Sequence, residues 1–238
     1  MFDLGTGLRY FGHGCDQNGN FRGVCLLTHM HWDHIQGLPF FVPTLRPGAH
    51  FDVYAPRQED GRTVCEVFRS LIKPPTFPVS LDDLPGTFEF HDIADDDFTI
   101  GDYSVRSRLV PHIGNTLGFR VSLGESSVVY LSDHQMPFDG SMSITNGARE
   151  LCEGADVLIH DSQYTPGEFA QKSTWGHCTI EYALWVAIEC GVKTLVLFHH
   201  DPGRCDDELD GIVARVMREG AAAGVNVIAA HEGLTLHA

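Results

Sequence analysis

Lysine is scarce in this chain, confined to Lys73, Lys172 and Lys193, and the arginines are scattered rather than clustered. With 16 basic against 32 acidic residues, the formal net charge is −16. Such a surface repels polyanions at long range, so a long nucleic-acid partner would need a local basic patch or bound cations. No apolar run approaches the roughly 20 residues needed to cross a bilayer, and no basic-then-apolar leader opens the sequence. A membrane partner is therefore not expected. Cysteine pairs of the CxxC type are missing too. The seven cysteines, Cys15, Cys25, Cys65, Cys152, Cys178, Cys190 and Cys205, are odd in number, which fits reduced thiols in a cytoplasm, several of them buried as small hydrophobes.

What is present describes a globular protein. At 238 residues, 43% hydrophobic and 20% charged, the chain can bury a large core as a single domain over residues 1–238. Short β-type runs recur at Val24–Thr28, Phe51–Tyr54, Tyr103–Val110, Leu117–Ser122, Val128–Ser132, Val157–His160, Leu195–Phe198 and Val225–Ala230. Helical patterns alternate with some of them, so the expected class is a layered α/β or α+β fold. The clearest helix runs from Asp206 to Gly220, with Leu209, Ile212, Val213, Val216 and Met217 as its apolar stripe, Asp206 as cap and Gly220 as stop. Thr179 to Gly191 reads the same way. Pro74, Pro75, Pro78 and Pro85 mark an irregular connection, and Asp95-Asp96-Asp97 reads as a solvated turn.

Function is concentrated in Thr28-His29-Met30-His31-Trp32-Asp33-His34, directly after the apolar run Val24-Cys25-Leu26-Leu27. Three imidazoles and a carboxylate in six positions are ligands that Zn²⁺, Mn²⁺ and Fe²⁺ accept. His29 and His31, two apart in an extended segment, share a face and can hold one ion. Asp33 and His34 enter the following turn and suit a second. A merely solvated loop seldom concentrates ligand types at this spacing.

The string His-x-His-x-Asp-His, followed by Ile35-Gln36-Gly37-Leu38-Pro39, resembles the signature loop of the metallo-β-lactamase-fold hydrolases. Its Gly-Leu-Pro tail is similar to the branch holding ribonuclease Z and small cyclic-phosphate phosphodiesterases. The resemblance implies a four-layer αββα sandwich and two divalent ions, Zn²⁺ first, with Mn²⁺ or Fe²⁺ as the other cations such sites take. It also implies further ligands. His112, before a Gly118-Phe119-Arg120 strand, matches the third motif; Asp133, ending Val128–Ser132, matches the bridging carboxylate; His199 matches the final motif, with neighbouring His200 as the alternative. On that reading His29, His31 and His112 hold one ion, Asp33, His34 and His199 the other, and Asp133 both.

The family resemblance extends from Asp3-Leu4-Gly5-Thr6-Gly7 to the last helix, with Asp3 expected to support the metal loop from behind. Trp175-Gly176-His177-Cys178-Thr179 looks like the branch's Gly-His-Ser-Thr element with Cys for Ser, which makes His177 a candidate catalytic residue beside Asp33, with Asp161 orienting it. Family members usually carry two strands and a Gly-rich loop before the first motif. This sequence begins almost at that motif, so either the true start lies upstream or the domain is without those strands, in which case an exposed sheet edge is expected to invite pairing with another chain. Family members also commonly form homodimers. Ribonuclease Z carries a tRNA-gripping arm between the third motif and the bridging Asp; here Asp133 follows His112 by 21 positions, too few for the arm. The expected function is hydrolysis of small or cyclic phosphodiesters by a metal-bound hydroxide. The alternatives are lactone, thioester or β-lactam hydrolysis on the same metals, or a non-catalytic metal-binding sensor.

Overall fold

A computed structural model describes residues 1–15 and 20–236. The chain divides into two compact units, Met1–Ala94 and Asp95–Ala238. No helix among the described residues is long and apolar enough to cross a membrane.

The first unit contains helix α1 (Leu8–Gly14), strand β1 (Arg22–Leu26), the single turn α2 (Trp32–Ile35), β2 (His50–Pro56), α3 (Val64–Leu71) and β3 (Thr87–Ile93). The three strands make a parallel sheet in the order β1-β2-β3. Phe51, Val53 and Ala55 alternate along β2 into the core, the period-2 pattern of a strand with one buried face. Helix α3 is started by a capping box, in which the Thr63 hydroxyl accepts from the Glu66 amide while the Glu66 carboxylate accepts from the Thr63 amide. Its Val64, Val67 and Phe68 then fall on one buried face at helical spacing. Leu4, Leu27, Ile35 and Leu38 belong to the same core, so the segments flanking the His-rich loop are anchored from inside.

The second unit is a seven-stranded mixed sheet in the order β10-β9-β8-β7-β6-β5-β4. Strands β4 (Asp97–Ile100), β5 (Tyr103–Leu109), β6 (Leu117–Leu123) and β7 (Ser126–Leu131) pair antiparallel through short turns. From β7 onward, β8 (Val157–Asp161), β9 (Thr194–Phe198) and β10 (Asn226–Ala229) are parallel. Parallel neighbours need crossover connections. Helix α4 (Asn146–Cys152) lies in the first crossover, α5 (Pro166–Lys172) and α6 (Ile180–Glu189) in the second, and α7 (Asp206–Ala222) in the third. Leu158, Leu195, Leu197, Ala183, Val186 and Val216 join sheet and helices in one core.

The expected strands all form, with ends moved by one or two residues. Strands β3 and β4 were not expected. β3 keeps its polar side chains on the strand's half-exposed side, where His91 pairs with Asp52 at 2.8 Å, so its apolar content is diluted. Asp97 of the acidic triplet opens β4 and pairs with Arg106 and Arg108 rather than lying in a free turn. Helix α7 also departs from expectation. Cys205 holds the cap position, and Asp206 is the first helical residue, where its charge complements the helix dipole. Gly220 lies inside the helix. A Cβ there would overlap the Val227 side chain, so this glycine permits close packing of α7 on β10.

Candidate metal centre

In the first unit His29 and His31 sit in the loop after β1, and Asp33 and His34 in the turn of α2 that follows it. Asp3 organises it from the chain's start. Its Oδ1 accepts from the Thr28 amide at 2.7 Å and the Thr28 hydroxyl at 3.0 Å, and its Oδ2 accepts from His34 Nδ1 at 2.8 Å. Since the Thr28 hydroxyl proton goes to a carboxylate, its oxygen accepts from His29 Nδ1, 3.0 Å away. Both histidines are thereby held as Nδ1–H tautomers, which directs an Nε2 lone pair outward from each. His29 Nε2 meets His31 Nδ1 at 2.9 Å, and His34 Nε2 meets Asp33 Oδ2 at 3.2 Å. Nitrogen atoms that converge like the first pair either share one proton or share one cation. The donor set fits divalent metal: neutral imidazole and carboxylate, each aligned by a partner behind it.

Packing makes this loop possible. Leu4 N–H donates to the His34 carbonyl and Gly37 N–H to the Leu4 carbonyl, both at 2.7 Å. A side chain at Gly37 would overlap the Leu4 and Gly5 carbonyl oxygens, and one at Gly5 the Asp33 carbonyl. The glycines of both sequence motifs therefore let two backbone segments touch. His29 and His34 are buried, whereas His31 and Asp33 are exposed.

Within the second unit, the candidates His112, Asp133, His177 and His199 follow the ends of β5, β7 and β9 or precede α6. Asp133 Oδ1 is ringed by three imidazole nitrogens: His177 Nδ1 and His199 Nε2 at 3.6 Å each, and His112 Nε2 at 3.9 Å. His112 Nδ1 donates to the Gly176 carbonyl at 2.6 Å, which turns its Nε2 lone pair toward Asp133. Gly176 adopts φ +96°, and a Cβ there would strike the His112 ring. His177 Nδ1 donates to Asp161 Oδ2 at 2.8 Å, the orientation expected from the sequence. His199 stacks on His177 with ring centroids 4.9 Å apart. Neighbouring His200 turns away, its Nε2 3.3 Å from the Ala230 carbonyl. His199 is thus the one of the two beside Asp133. Among the described residues, Asp3 and His199 alone adopt positive φ without being glycine, at 54° and 55°. Backbone strain of this kind is retained where surrounding structure fixes a side chain for use.

His134, which the sequence did not single out, and His160, which precedes Asp161 in a strand-end segment similar to the family's His-acid element, are both fully buried. His160 Nδ1 donates to the Asp161 carbonyl at 2.6 Å, so its Nε2 accepts from His134 Nδ1 at 2.9 Å. The His134 amide donates to Asp161 Oδ2. Burial pushes both imidazoles below the usual histidine range, for His134 well below it, which keeps the pair neutral. Gln135 was missed as well; its side-chain oxygen accepts from the Gly176 amide at 2.7 Å and so steadies the turn beneath His112. Adjacency to Asp133 is the only signal the sequence carried for either His134 or Gln135.

Comparison with known proteins agrees with these observations. A family model described as a beta-lactamase superfamily domain matches residues 21–200. Ribonuclease Z of Synechococcus sp. (strain CC9311) is 25% identical over 252 residues, covering 85% of this chain and 77% of that protein. Among solved structures, the metallo-beta-lactamase fold protein YhfI from Bacillus subtilis superposes with a TM-score of 0.70 at 19% identity, covering 98% of this chain and 84% of its own. Zn²⁺-bound PqqB from Methylobacterium extorquens gives 0.69 at 19% identity, covering 100% and 82%. The α/β architecture is that of the metallo-β-lactamase fold, and the chain belongs to the beta-lactamase superfamily, in its ribonuclease Z-like branch.

Proposed function

We propose that the chain is a dinuclear metal-dependent hydrolase of small or cyclic phosphodiesters, its two units acting as one domain. The observation that carries this reading is the ring of three imidazoles around Oδ1 of the buried Asp133. His29, His31 and His112 would hold one ion, Asp33, His34 and His199 the other, and Asp133 both. A carboxylate suits the shared position because each oxygen can face one cation and offset their repulsion. Zinc heads the candidates, given the imidazole-rich donor set and the Zn²⁺ in the structural relative PqqB.

Two divalent cations, when bound, would supply Lewis acidity toward phosphate oxygens and lower the pKa of water to about 7. The remaining steps belong to the chain. Asp33, exposed on α2, orients the attacking water and accepts its proton. His177 gives a proton to the departing alkoxide oxygen through Nε2, because Nδ1 is committed to Asp161. Asp161 is in turn fixed by the His134 and Gln163 amides, so the pair is aligned before substrate arrives.

Ribonuclease Z is the name of the curated relative, but two features favour a smaller substrate here. The net charge is −16, and the interval between His112 and Asp133 is taken up by the β6–β7 hairpin. The test is a His112→Ala, Asp133→Ala double variant, assayed for metal content and for hydrolysis of bis-p-nitrophenyl phosphate. Loss of both is expected. Unchanged metal content with an unchanged rate would defeat the assignment.

A further inference from the structure

A cavity of about 400 Å³ opens in the first unit, beside the His-rich loop. Its wall includes Tyr10, Trp32, Phe40 and Phe77, together with Arg9 and Gln36. Trp32 is flanked in sequence by His31 and Asp33, so an occupant of the cavity lies against the loop that carries the donors. Tyr10, Trp32 and Phe40 are each more than half exposed, and Phe40 meets Phe77 edge-on at 6.2 Å. Large apolar side chains gathered around one open cleft mark a binding surface rather than ordinary exposure. Arg9 makes no ion pair among the described residues, although acidic groups outnumber basic ones two to one. A cation left available in so acidic a chain suits an anionic ligand.

Aromatic faces, a side-chain amide and an available guanidinium correspond to the three parts of a nucleotide. Bases of any identity stack on aromatic rings, an amide pairs with a base edge, and arginine meets phosphate oxygens. An aliphatic chain would use the rings but neither Arg9 nor Gln36. We propose that this cavity is the subsite for the base of a nucleoside phosphodiester, with Trp32, Phe40 and Phe77 supplying the stacking surface, Gln36 reading the base edge and Arg9 drawing in the phosphate. The proposal rests on the phosphodiesterase reading above and narrows its substrate to nucleoside-bearing diesters.

The experiment separates binding from turnover. Adenosine 5′-monophosphate and adenosine are each titrated by calorimetry into the chelator-treated protein, as wild type and as Phe40→Ala, Phe77→Ala and Arg9→Gln. The Zn²⁺-loaded proteins are then assayed on adenosine 2′,3′-cyclic phosphate and on the base-free ribose cyclic phosphate. Measurable binding is expected, weakened about tenfold by either Phe variant, the scale of one lost stacking surface. KM for the adenosine diester rises by a similar factor with kcat kept, and the base-free diester is unaffected. Arg9→Gln weakens adenosine monophosphate but not adenosine. Phe40 is an exposed residue, so its variant remains informative should Phe77→Ala fail to fold. Nucleotide binding that is absent, or indifferent to Phe40→Ala, overturns the proposal, as does a Phe40→Ala variant that changes only the oligomeric state in gel filtration. Normal nucleotide binding with no hydrolysis of either diester would overturn the phosphodiesterase reading and leave the subsite standing.

Discussion

The two units hold their donor groups by opposite means. In the first, His29, His31, Asp33 and His34 come from one short stretch of loop and helical turn, and a single carboxylate, Asp3, aligns it through Thr28 and His34. In the second, His112, Asp133, His177 and His199 come from four separate segments. Each is held by a different device: the Gly176 carbonyl for His112, Asp161 for His177, a left-handed backbone for His199. A local set depends on one support and should fail as a unit. A distributed set depends on the whole sheet and should lose its members one at a time.

That contrast can be broken most sharply at its two centres. Asp133→Ala removes the group around which three imidazoles gather, and diesterase activity is expected to fall about a thousandfold or more, with metal content reduced. His31→Ala, which leaves the rest of the loop in place, should cost less; an equal or larger loss would reverse the ranking. Next in size is Asp161→Asn. His177 loses a charged acceptor but keeps its position, so kcat should drop about 10- to 100-fold with KM nearly constant, measured on a small diester. A rise in KM alone would mean that His177 only binds substrate. Asp3→Ala should act on the first unit as a whole. It strands buried donors on Thr28 and His34 and should lower stability by about 3 kcal/mol, read as a drop in the urea midpoint. Stability within error of wild type would show that the loop is held by packing alone.

The smallest effect concerns pH and tests the second unit away from its donors. Burial opposes ionisation of Glu168, but the Thr165 amide and hydroxyl and the Arg204 guanidinium outweigh it and hold the carboxyl down to about 2 from its ordinary 4.5. The folded state therefore prefers the ionised form. Its contribution is complete above about pH 4.5 and is lost as pH falls through about 2. Glu168→Gln should lower the urea midpoint most above about pH 4.5 and approach wild type as pH falls toward 2, which flattens the acid limb of a urea-midpoint against pH curve. An unchanged acid limb would remove Glu168 from the account.

Legibility followed the same division. The first set could be read from spacing, because two imidazoles two apart on an extended segment must share a face whatever the rest of the chain does. The expected partner Asp3 is where the sequence put it. For the second set, spacing alone was silent. His112, Asp133 and His199 came from resemblance to a family, and the choice between His199 and His200 turned on a positive φ that no local pattern announces. The pairing of His134 with His160 stayed hidden because a buried histidine pair has no sequence signature apart from the strand ends on which it sits. Glycines told a similar story. Gly176 and Gly220 look alike on paper, yet one admits the His112 ring and the other admits a neighbouring strand. Strand β3 was missed for a related reason, since polar residues on its open side broke the apolar run that marks its neighbours.

The central claim is that the local set and the distributed set serve one pair of ions. It is tested most directly by a crystal structure of the Zn²⁺-loaded protein with anomalous diffraction at the zinc edge. The account predicts two peaks bridged by Asp133, one contacted by His29, His31 and His112 and the other by Asp33, His34 and His199. Ions bound to each set separately, or no ion at Asp133 after zinc loading, would contradict it.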